Sequence, residues 1–171
     1  MVFRFFEPSV RRGPLTALLF RRLVDYRNHL LDQLAFFNLM HTFKRSERLK
    51  SRKILGRLFE EGHSFVAFPL RAVWLPLSEA ECAAANYGST RIQVAICVSR
   101  KLHRSAVVRN RIRRQIREAY RLHKHLLNEQ LQRQNLRIAL ALVFLIREEP
   151  SFAQLVASMS KIIGHFEKIS R

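Results

Sequence analysis

The sequence predicts an α+β fold, a small sandwich in which helices pack on one sheet. Segments with a helical repeat of apolar residues alternate with short apolar segments of strand length, in the order α-β-β-α-β-α. The chain has 171 residues and is 48% hydrophobic, which is enough for one domain with its own core. Composition changes near residue 40, so we predict a domain over residues 40–171 that is preceded by an extension over residues 1–39.

The extension is rich in phenylalanine and fits a helix only loosely. Residues 1–39 contain six of the 13 phenylalanines, and the apolar residues from Leu15 to Leu39 follow an approximate helical repeat. Met40 stands three residues before the basic segment that begins at Phe43 and is a candidate start. We therefore expect residues 1–39 to be a detached helix or the product of a mis-assigned start, and residues 40–171 to fold and function alone.

The first half of the domain is predicted as a helix and a strand followed by a loop. A helix is expected over residues 51–61, where apolar residues pair at i and i+4, and Gly62 is expected to end it in a left-handed conformation. Residues 65–75 are predicted as one strand, broken or edged at Pro69. Residues 77–90 are predicted as a loop.

The second half is predicted as two strands and two helices. β-Branched residues at alternate positions indicate a strand over Arg91–Ser99, and a long basic helix is expected from Ser105 to Leu127. The unbroken apolar run in Arg137–Ile146 is typical of a buried strand. A last helix begins at Ser151, and its apolar residues recur with a helical period at positions 152, 155, 156, 159, 162, 163 and 166.

The charge of the chain indicates a polyanionic partner. Lys and Arg number 31 against 13 Asp and Glu, which gives a net charge of +18. Such an excess opposes compaction by self-repulsion and is typical of proteins that bind nucleic acid or an anionic membrane. The nine-residue apolar run over residues 138–146 is too short to span a membrane. Two cysteines cannot form a disulfide framework, so a reducing cytoplasm is predicted.

The basic charge is concentrated in one predicted helix. Residues 100–124 contain ten Lys and Arg and one acid, Glu118, so few i,i+4 salt bridges can neutralise them. At about 100° per residue an apolar stripe is formed by Val108, Ile112, Ile116, Ala119 and Leu126. The opposite arc carries Asn110, Arg113, Arg114, Arg117, Arg121 and Lys124, with Arg109 and Arg111 at its flanks. Arginine suits bidentate phosphate recognition, so we predict that this arc binds a polyanion.

Three blocks of sequence, in order, resemble the protein component of bacterial ribonuclease P. They are Phe43–Ser51, Leu58–Gly62, and a third block that joins Val98–Lys101 to Arg109–Arg114 and Ile116–Arg121. The Arg-Asn-Arg core and the basic helix that follows it are the signature of that family, and the resemblance covers about residues 43–167. It implies a fold like that of a ribosomal-protein domain, with a left-handed crossover where the usual rule gives a right-handed one.

The resemblance also implies a function and its residues. The protein would bind the catalytic RNA of bacterial ribonuclease P and the 5′ leader of precursor tRNA, and would assist endonucleolytic removal of that leader, with catalysis and Mg²⁺ carried by the RNA. The residues themselves predict neither a membrane nor a DNA partner. The RNA-binding residues would be Arg100, Lys101, Arg104, Arg109, Asn110, Arg111, Arg113, Arg114, Arg117 and Arg121. The leader cleft would be lined by Leu55, Phe59, Arg71 and Val73. Leu55 and Val73 stand where some members carry aromatic residues, and the sequence from His103 to Ser105 replaces a Gly-Asn pair of some branches.

The residues themselves indicate neither a catalytic site nor a metal site in the polypeptide. The acidic pairs fall at a predicted helix end, in a loop and before Pro150, so they do not converge as a two-metal nuclease requires. His123 and His125 are two apart and lie on different faces of a helix. A ribosomal or other structural RNA-binding protein fits the composition equally well, and only the order of the motifs separates the two. A DNA-binding regulator would need heptads after its basic region, and the leucines there are too few.

Overall fold

The computed structural model describes residues 42–84, 87 and 90–169. These residues belong to a compact unit that spans His41–Arg171. The predicted helix over residues 15–39 and the proposed start at Met40 fall outside the described residues. The unit has one four-stranded sheet with helices packed on it, so the predicted α+β class is confirmed.

The structure contains four α-helices, four strands and one turn of 3₁₀-helix within the described residues. In chain order they are the 3₁₀ turn Arg45–Glu47, α1 Arg52–Glu60, β1 His63–Ala67, β2 Leu70–Pro76, α2 Glu79–Ala84, β3 Ile92–Val98, α3 Ala106–Arg133, β4 Ile138–Phe144 and α4 Phe152–Ile169. The last two strands lie within one or two residues of their predicted bounds, and the last helix begins one residue after the predicted Ser151. The basic helix is longer than predicted and ends at Arg133 rather than Leu127.

The strands follow the order β1-β2-β4-β3. β2 pairs antiparallel with both β1 and β4, whereas β3 and β4 are parallel neighbours. Helix α3 connects those two parallel strands, so it is the crossover of the fold. β1 and β3 are therefore the two edges of the sheet.

The prediction of one strand over residues 65–75 is wrong, because this segment is a tight hairpin. β1 ends at Ala67 and β2 begins at Leu70, with a cis peptide bond between Phe68 and Pro69 in the turn. The turn carries no Asn-Gly or Asp-Gly pair, which is the usual sequence signal of a hairpin. Tertiary hydrogen bonds hold it: the Ser158 hydroxyl donates to the Phe68 carbonyl at 2.7 Å, and the Leu145 N–H donates to the Pro69 carbonyl at 3.2 Å.

The predicted loop over residues 77–90 contains the short helix α2, so that prediction is also wrong in part. Ser78 and Glu81 form a reciprocal cap in which the Ser78 N–H donates to Glu81 Oε2 at 3.0 Å. The Arg57 guanidinium of α1 also contacts this carboxylate. The hydrogen bond from the Ser78 backbone, followed by that from Arg57, lowers the pKa of Glu81. Glu81 therefore joins α2 to α1.

Gly62 ends α1 for a steric reason. The residue was predicted to adopt a left-handed conformation, but its φ lies outside that region. A Cβ atom at Gly62 would lie 2.2 Å from the Leu58 carbonyl oxygen and 3.1 Å from Val73 Cγ1. Such a contact is far inside van der Waals distance, so only glycine lets the chain leave the helix so close to β2.

The two faces of the sheet have separate cores. Helices α3 and α4 cover one face, where the largest fully buried side chains include Tyr120, Phe144 and Phe166. Helix α1 packs on the other face against β2 and β4, around Leu58, Val73 and Ala141. The short helix α2 adds Cys82 to this second core, and the predicted leader-cleft residues fall on this face of the sheet.

Candidate RNA interface

Helix α3 buries one side, largely as the sequence predicts. Ile112, Ile116 and Ala119 are fully buried against the sheet. Val108 is half-buried and packs against the same core, whereas Leu126 is 40% exposed, so the prediction is wrong for Leu126. Over the last turns the buried residues are instead Tyr120, Lys124, Leu127 and Leu131.

Lys124 was predicted on the exposed arc, and this prediction is wrong. Its side chain is buried, and its Nζ lies 2.6 Å from Glu47 Oε1. The same Nζ donates to the Thr42 carbonyl at 2.6 Å. The buried pair joins α3 to the segment that leads into α1, across 77 residues of sequence, so no local pattern could reveal it.

The first turns of α3 present a group of arginines to solvent. Arg114 and Asn110 are exposed, whereas Arg113 and Arg117 are half-buried. Arg113 Nη1 donates to Asn110 Oδ1 at 3.2 Å, which orients the guanidinium without neutralising it. Among the described residues, Arg117 Nε is buried without a hydrogen-bond acceptor. The exposed guanidinium of Arg114 can donate hydrogen bonds to a phosphate oxygen.

Other basic residues of the predicted site contact the protein itself. Arg111 forms an ion pair with Glu149, in the segment after β4. Arg121 pairs with Glu118 at 2.7 Å, and its hydrogen bond lowers the pKa of that carboxyl. Both cations remain partly exposed, so their predicted RNA contact stays a prediction.

Arg109 contacts the loop that precedes the helix. Its Nη1 donates to the carbonyl of His103 at 2.9 Å and to the carbonyl of Arg104 at 2.6 Å. His103 is itself buried, and its Nε2 lies 2.9 Å from the Ile146 carbonyl oxygen. The loop between β3 and α3 is thus held from both sides.

That loop presents three further cations. Arg100, Lys101 and Arg104 are exposed and line one concave surface of about 660 Å³. In the described part of the chain, six cations of this region have no carboxylate partner: Arg100, Lys101, Arg104, Arg113, Arg114 and Arg117. We call these six residues the basic surface.

The predicted leader-cleft residues lie together on the α1 face of the sheet, but they differ in exposure. Phe59 is 54% exposed and Arg71 is exposed. Val73 is buried and Leu55 is half-buried within the core beneath α1. Phe59 therefore offers an exposed aromatic ring at the predicted cleft.

The strand register connects this cleft to the basic surface. Arg71 pairs with Val143 of β4, and Val143 pairs with Cys97 of β3, so the three lie in one row across the sheet. Burial raises the pKa of the Cys97 thiol, and the nearby charge of Arg113 partly opposes that shift. At the other end of the row, Arg71 Nη2 donates to Ser64 Oγ at 2.8 Å. A continuous face thus runs from the basic surface to β1.

Sequence reasoning missed Ser64 and Cys97 as members of this face. Period-2 alternation would have placed Cys97 on it, opposite the β-branched residues of β3. Ser64 could not be found, because its strand was not recognised as separate from β2.

The described residues show no group of three or more His, Cys, Asp or Glu side chains with metal-binding geometry. His123 Nδ1 lies 2.8 Å from the Ala119 carbonyl of its own helix. Over the same residues, none of the helices is long and apolar enough to cross a membrane.

Known proteins resemble this chain in sequence. A family model described as Ribonuclease P matches residues 43–167. The ribonuclease P protein component of Porphyromonas gingivalis is 41% identical over 117 residues, which cover 68% of this chain and 80% of that protein. The ribonuclease P protein component of Dictyoglomus turgidum is 32% identical over 93 residues, which cover 54% of this chain and 69% of that protein.

Solved structures share the fold. The RNase P protein from Thermotoga maritima has a TM-score of 0.52 at 18% identity and covers 70% of this chain and 96% of that one. A Staphylococcus aureus RNase P protein mutant has a TM-score of 0.50 at 23% identity, covering 80% of this chain and 96% of that one. The family model and the sequence relatives favour the ribonuclease P interpretation over a ribosomal or structural RNA-binding protein. The chain therefore belongs to the ribonuclease P protein family, the RNA-binding protein components of a tRNA-processing endonuclease.

Proposed function

We propose that this protein binds ribonuclease P RNA through the basic surface and the 5′ leader of precursor tRNA across the α1 face of the sheet. In this role it positions the precursor so that the RNA removes the leader and leaves the mature tRNA 5′ end. The RNA and its bound Mg²⁺ supply the hydrolytic chemistry, and the polypeptide supplies binding and orientation.

The observation that supports RNA binding is the basic surface. Its six cations have no carboxylate partner within the described chain, although other arginines nearby do. Like charges held together on a rigid helix and a fixed loop repel one another, and a phosphate backbone relieves that repulsion while releasing its own counterions. The guanidiniums of Arg100, Arg104 and Arg114 are exposed, and their planar forks match the geometry of phosphate oxygens.

The position of the α1 face supports leader binding. The face is continuous with the basic surface, and it carries an exposed aromatic ring in Phe59 and an exposed guanidinium in Arg71. A single strand can use both kinds of contact, because its bases stack on aromatic rings and its phosphates bind cations. With Leu55 and Val73 in place of aromatic residues, we assign base stacking to Phe59.

The placement of the acidic side chains supports an RNA-borne reaction. Glu61 and Glu81 both contact Arg57, and Glu149 pairs with Arg111. Glu47 is buried against Lys124. These four carboxylates are therefore paired with cations of the protein itself. Both cysteines are free thiols, which accords with the bacterial cytoplasm as the compartment.

Reconstitution tests the proposal. The full chain is mixed with ribonuclease P RNA and precursor tRNA at a Mg²⁺ concentration too low for the RNA alone, and mature 5′ ends are measured. We expect the protein to restore cleavage, and the protein without RNA to cleave nothing. Substitution of Glu60, Glu61, Glu148 and Glu149 by Gln should leave cleavage nearly intact.

A variant of the basic surface is compared with the unchanged protein in the same assay. Arg113→Ala combined with Arg114→Ala should lose stimulation at low RNA concentration and regain it when more RNA is added, because binding rather than chemistry is weakened. RNA binding without any stimulation of cleavage would contradict the proposal and support a structural RNA-binding role. Cleavage by the protein alone would contradict RNA-borne chemistry.

A further inference from the structure

A second concave surface lies at the sheet edge farthest from the basic surface. It is a cavity of about 600 Å³ between the edge strand β1 and helix α4. Its lining includes Phe65 and Val66 from β1 and Lys161, Gly164, His165 and Lys168 from α4. β1 pairs with β2 alone in the described sheet, so its outer edge is open beside the cavity. We call this the α4–β1 cavity.

The cavity combines stacked rings with cations. The rings of Phe65 and His165 stack with centroids 3.7 Å apart and an interplanar angle of 26°, and both side chains are half-buried. Lys161 and Lys168 are exposed, and their spacing of four and three residues from His165 places all three on one face of α4. Apart from its chain neighbours and the backbone of its own helix, no heavy atom lies within 4 Å of the position that a Cβ would take at Gly164, so the space at this residue is open.

The one carboxylate in the lining is engaged elsewhere. Glu167 Oε1 accepts a hydrogen bond at 3.3 Å from Gln130 of α3. The neutral amide leaves the charge of Glu167 in place, but the two lysines outnumber this carboxylate, so the net charge of the lining is positive. A ligand that suits it has an aromatic part for the rings and anionic groups for the lysines, and a nucleotide has both.

We propose that the α4–β1 cavity binds single-stranded RNA, with a base on the Phe65–His165 pair and phosphates on Lys161 and Lys168. A peptide added as a strand to the open edge of β1 would use the backbone but leave the lysines without a partner. The net charge of +18 likewise favours a polyanion.

The strand register gives the RNA a path to this cavity. Val66 lines the cavity and pairs with Arg71, so it continues the row of residues that crosses the α1 face. A strand that lies over Phe59 and Arg71 therefore reaches the cavity when it passes the edge of β1. The inference rests on the proposed function, and the RNA has two possible sources, the leader beyond the cleft and a single-stranded segment of ribonuclease P RNA.

The test of the lysines uses the full chain and labelled oligo(A), a single strand without structure. Each phosphate contact on a single strand contributes about 0.7 to the slope of log K against log[salt], so Lys161→Ala with Lys168→Ala should reduce the slope by about 1.4. The matched control is Arg133→Ala with Arg147→Ala, which removes the same charge from exposed positions outside both surfaces. We expect the control to retain the slope.

The test of the rings uses the same probe. Phe65→Leu keeps apolar bulk but removes the ring, and we expect oligo(A) to bind roughly fivefold more weakly or worse, with the salt slope unchanged. His165→Ala serves as a second variant, and thermal unfolding of each shows whether the fold is retained. If the lysine pair and its control behave alike, or if a folded ring variant binds normally, the proposal is wrong.

Photo-crosslinking shows whether the leader or ribonuclease P RNA occupies the cavity, and a peptide titration tests the alternative occupant. A photoreactive nucleotide moved along the leader should crosslink to Phe65 or His165 if the leader occupies the cavity, whereas crosslinks from ribonuclease P RNA would assign it to that RNA. Crosslinks from neither, or β1 amide shifts with a strand-forming peptide but not with oligo(A), would overturn the proposal. Binding of oligo(A) is independent of cleavage, so failed reconstitution with intact cavity binding would contradict the proposed function alone.

Discussion

Arg109, the first arginine of the Arg-Asn-Arg sequence, forms hydrogen bonds with the backbone of the protein itself. Arg109 donates to two consecutive loop carbonyls, at 2.9 and 2.6 Å, and so fixes the loop that carries Arg100, Lys101 and Arg104. Lysine could not reproduce this contact, because a point charge lacks the planar fork of a guanidinium. Arg109 is therefore a positioning residue for three cations of the basic surface.

Arg109→Ala should destabilise the fold where Arg114→Ala does not. Hydrogen bonds to charged groups contribute about 1.5–3 kcal/mol, and some of this is lost to solvent screening at a half-buried side chain, so we expect about 1–2 kcal/mol. Arg114 is exposed without an ion-pair partner in the described chain, and its removal should change stability by less than about 0.5 kcal/mol. Urea unfolding measures both. Equal effects would show that Arg109 does not hold the loop.

The buried pair of Lys124 and Glu47 gives a second prediction at this scale. Lys124→Met leaves the Glu47 carboxylate buried without its partner, which should cost about 3–5 kcal/mol. Adding Glu47→Gln removes the stranded charge, so the double variant should recover a substantial part of that loss. Chemical denaturation of the two single variants and the double variant completes the cycle. Additive losses would mean that the pair is not coupled.

At the scale of elements, long periodic segments were predicted well and short ones were not. α4 has one strong helical repeat and β4 has one unbroken apolar run, and the burial of each element follows its pattern. The β1–β2 hairpin was missed because Phe68 and Pro69 are apolar and continue the hydrophobic run. α2 was missed although Ser78 and Glu81 have the spacing of a capping box, a signal that the sequence does contain.

The candidate site was predictable in composition but not in its internal contacts. The cluster of arginines on α3 follows from spacing alone. The partners of Arg111 and Lys124 lie 38 and 77 residues away, so only the tertiary structure shows which cations are neutralised. The α4–β1 cavity could not be predicted either, because it is formed by strand β1, which was not recognised as a separate strand.

The two sides of α3 should respond oppositely to substitution. Ile112 is fully buried, so Ile112→Ala should cost about 2–5 kcal/mol through the cavity it leaves, with RNA affinity retained in the folded fraction. Arg113→Ala with Arg114→Ala should weaken RNA binding while the unfolding midpoint barely changes. Calorimetry and filter binding on the same preparations make the comparison. If the phenotypes were exchanged, the orientation of the helix would be wrong.

At the scale of the whole molecule, both cores lie within one compact unit. The two faces of the sheet and all the described helices fall between residues 42 and 169. A chain that begins at Met40 should therefore fold with unchanged unfolding cooperativity, and should stimulate cleavage in the reconstitution assay as the full chain does. Loss of a cooperative transition on truncation would show that residues 1–39 are required for stability.

The last prediction concerns how the affinity of the protein for RNA depends on salt concentration. If each of the six cations of the basic surface contacts one phosphate, log K for RNA should fall against log[salt] with a slope of about 4–5, taking roughly 0.7–0.9 per contact. Arg113→Ala, Arg114→Ala and Arg117→Ala combined should reduce that slope by about 2–3. Arg109→Lys should lower affinity with little change of slope, because it disturbs the loop without removing charge. A steep slope that survives the triple variant would mean that diffuse charge over the whole protein, rather than the basic surface, binds the RNA.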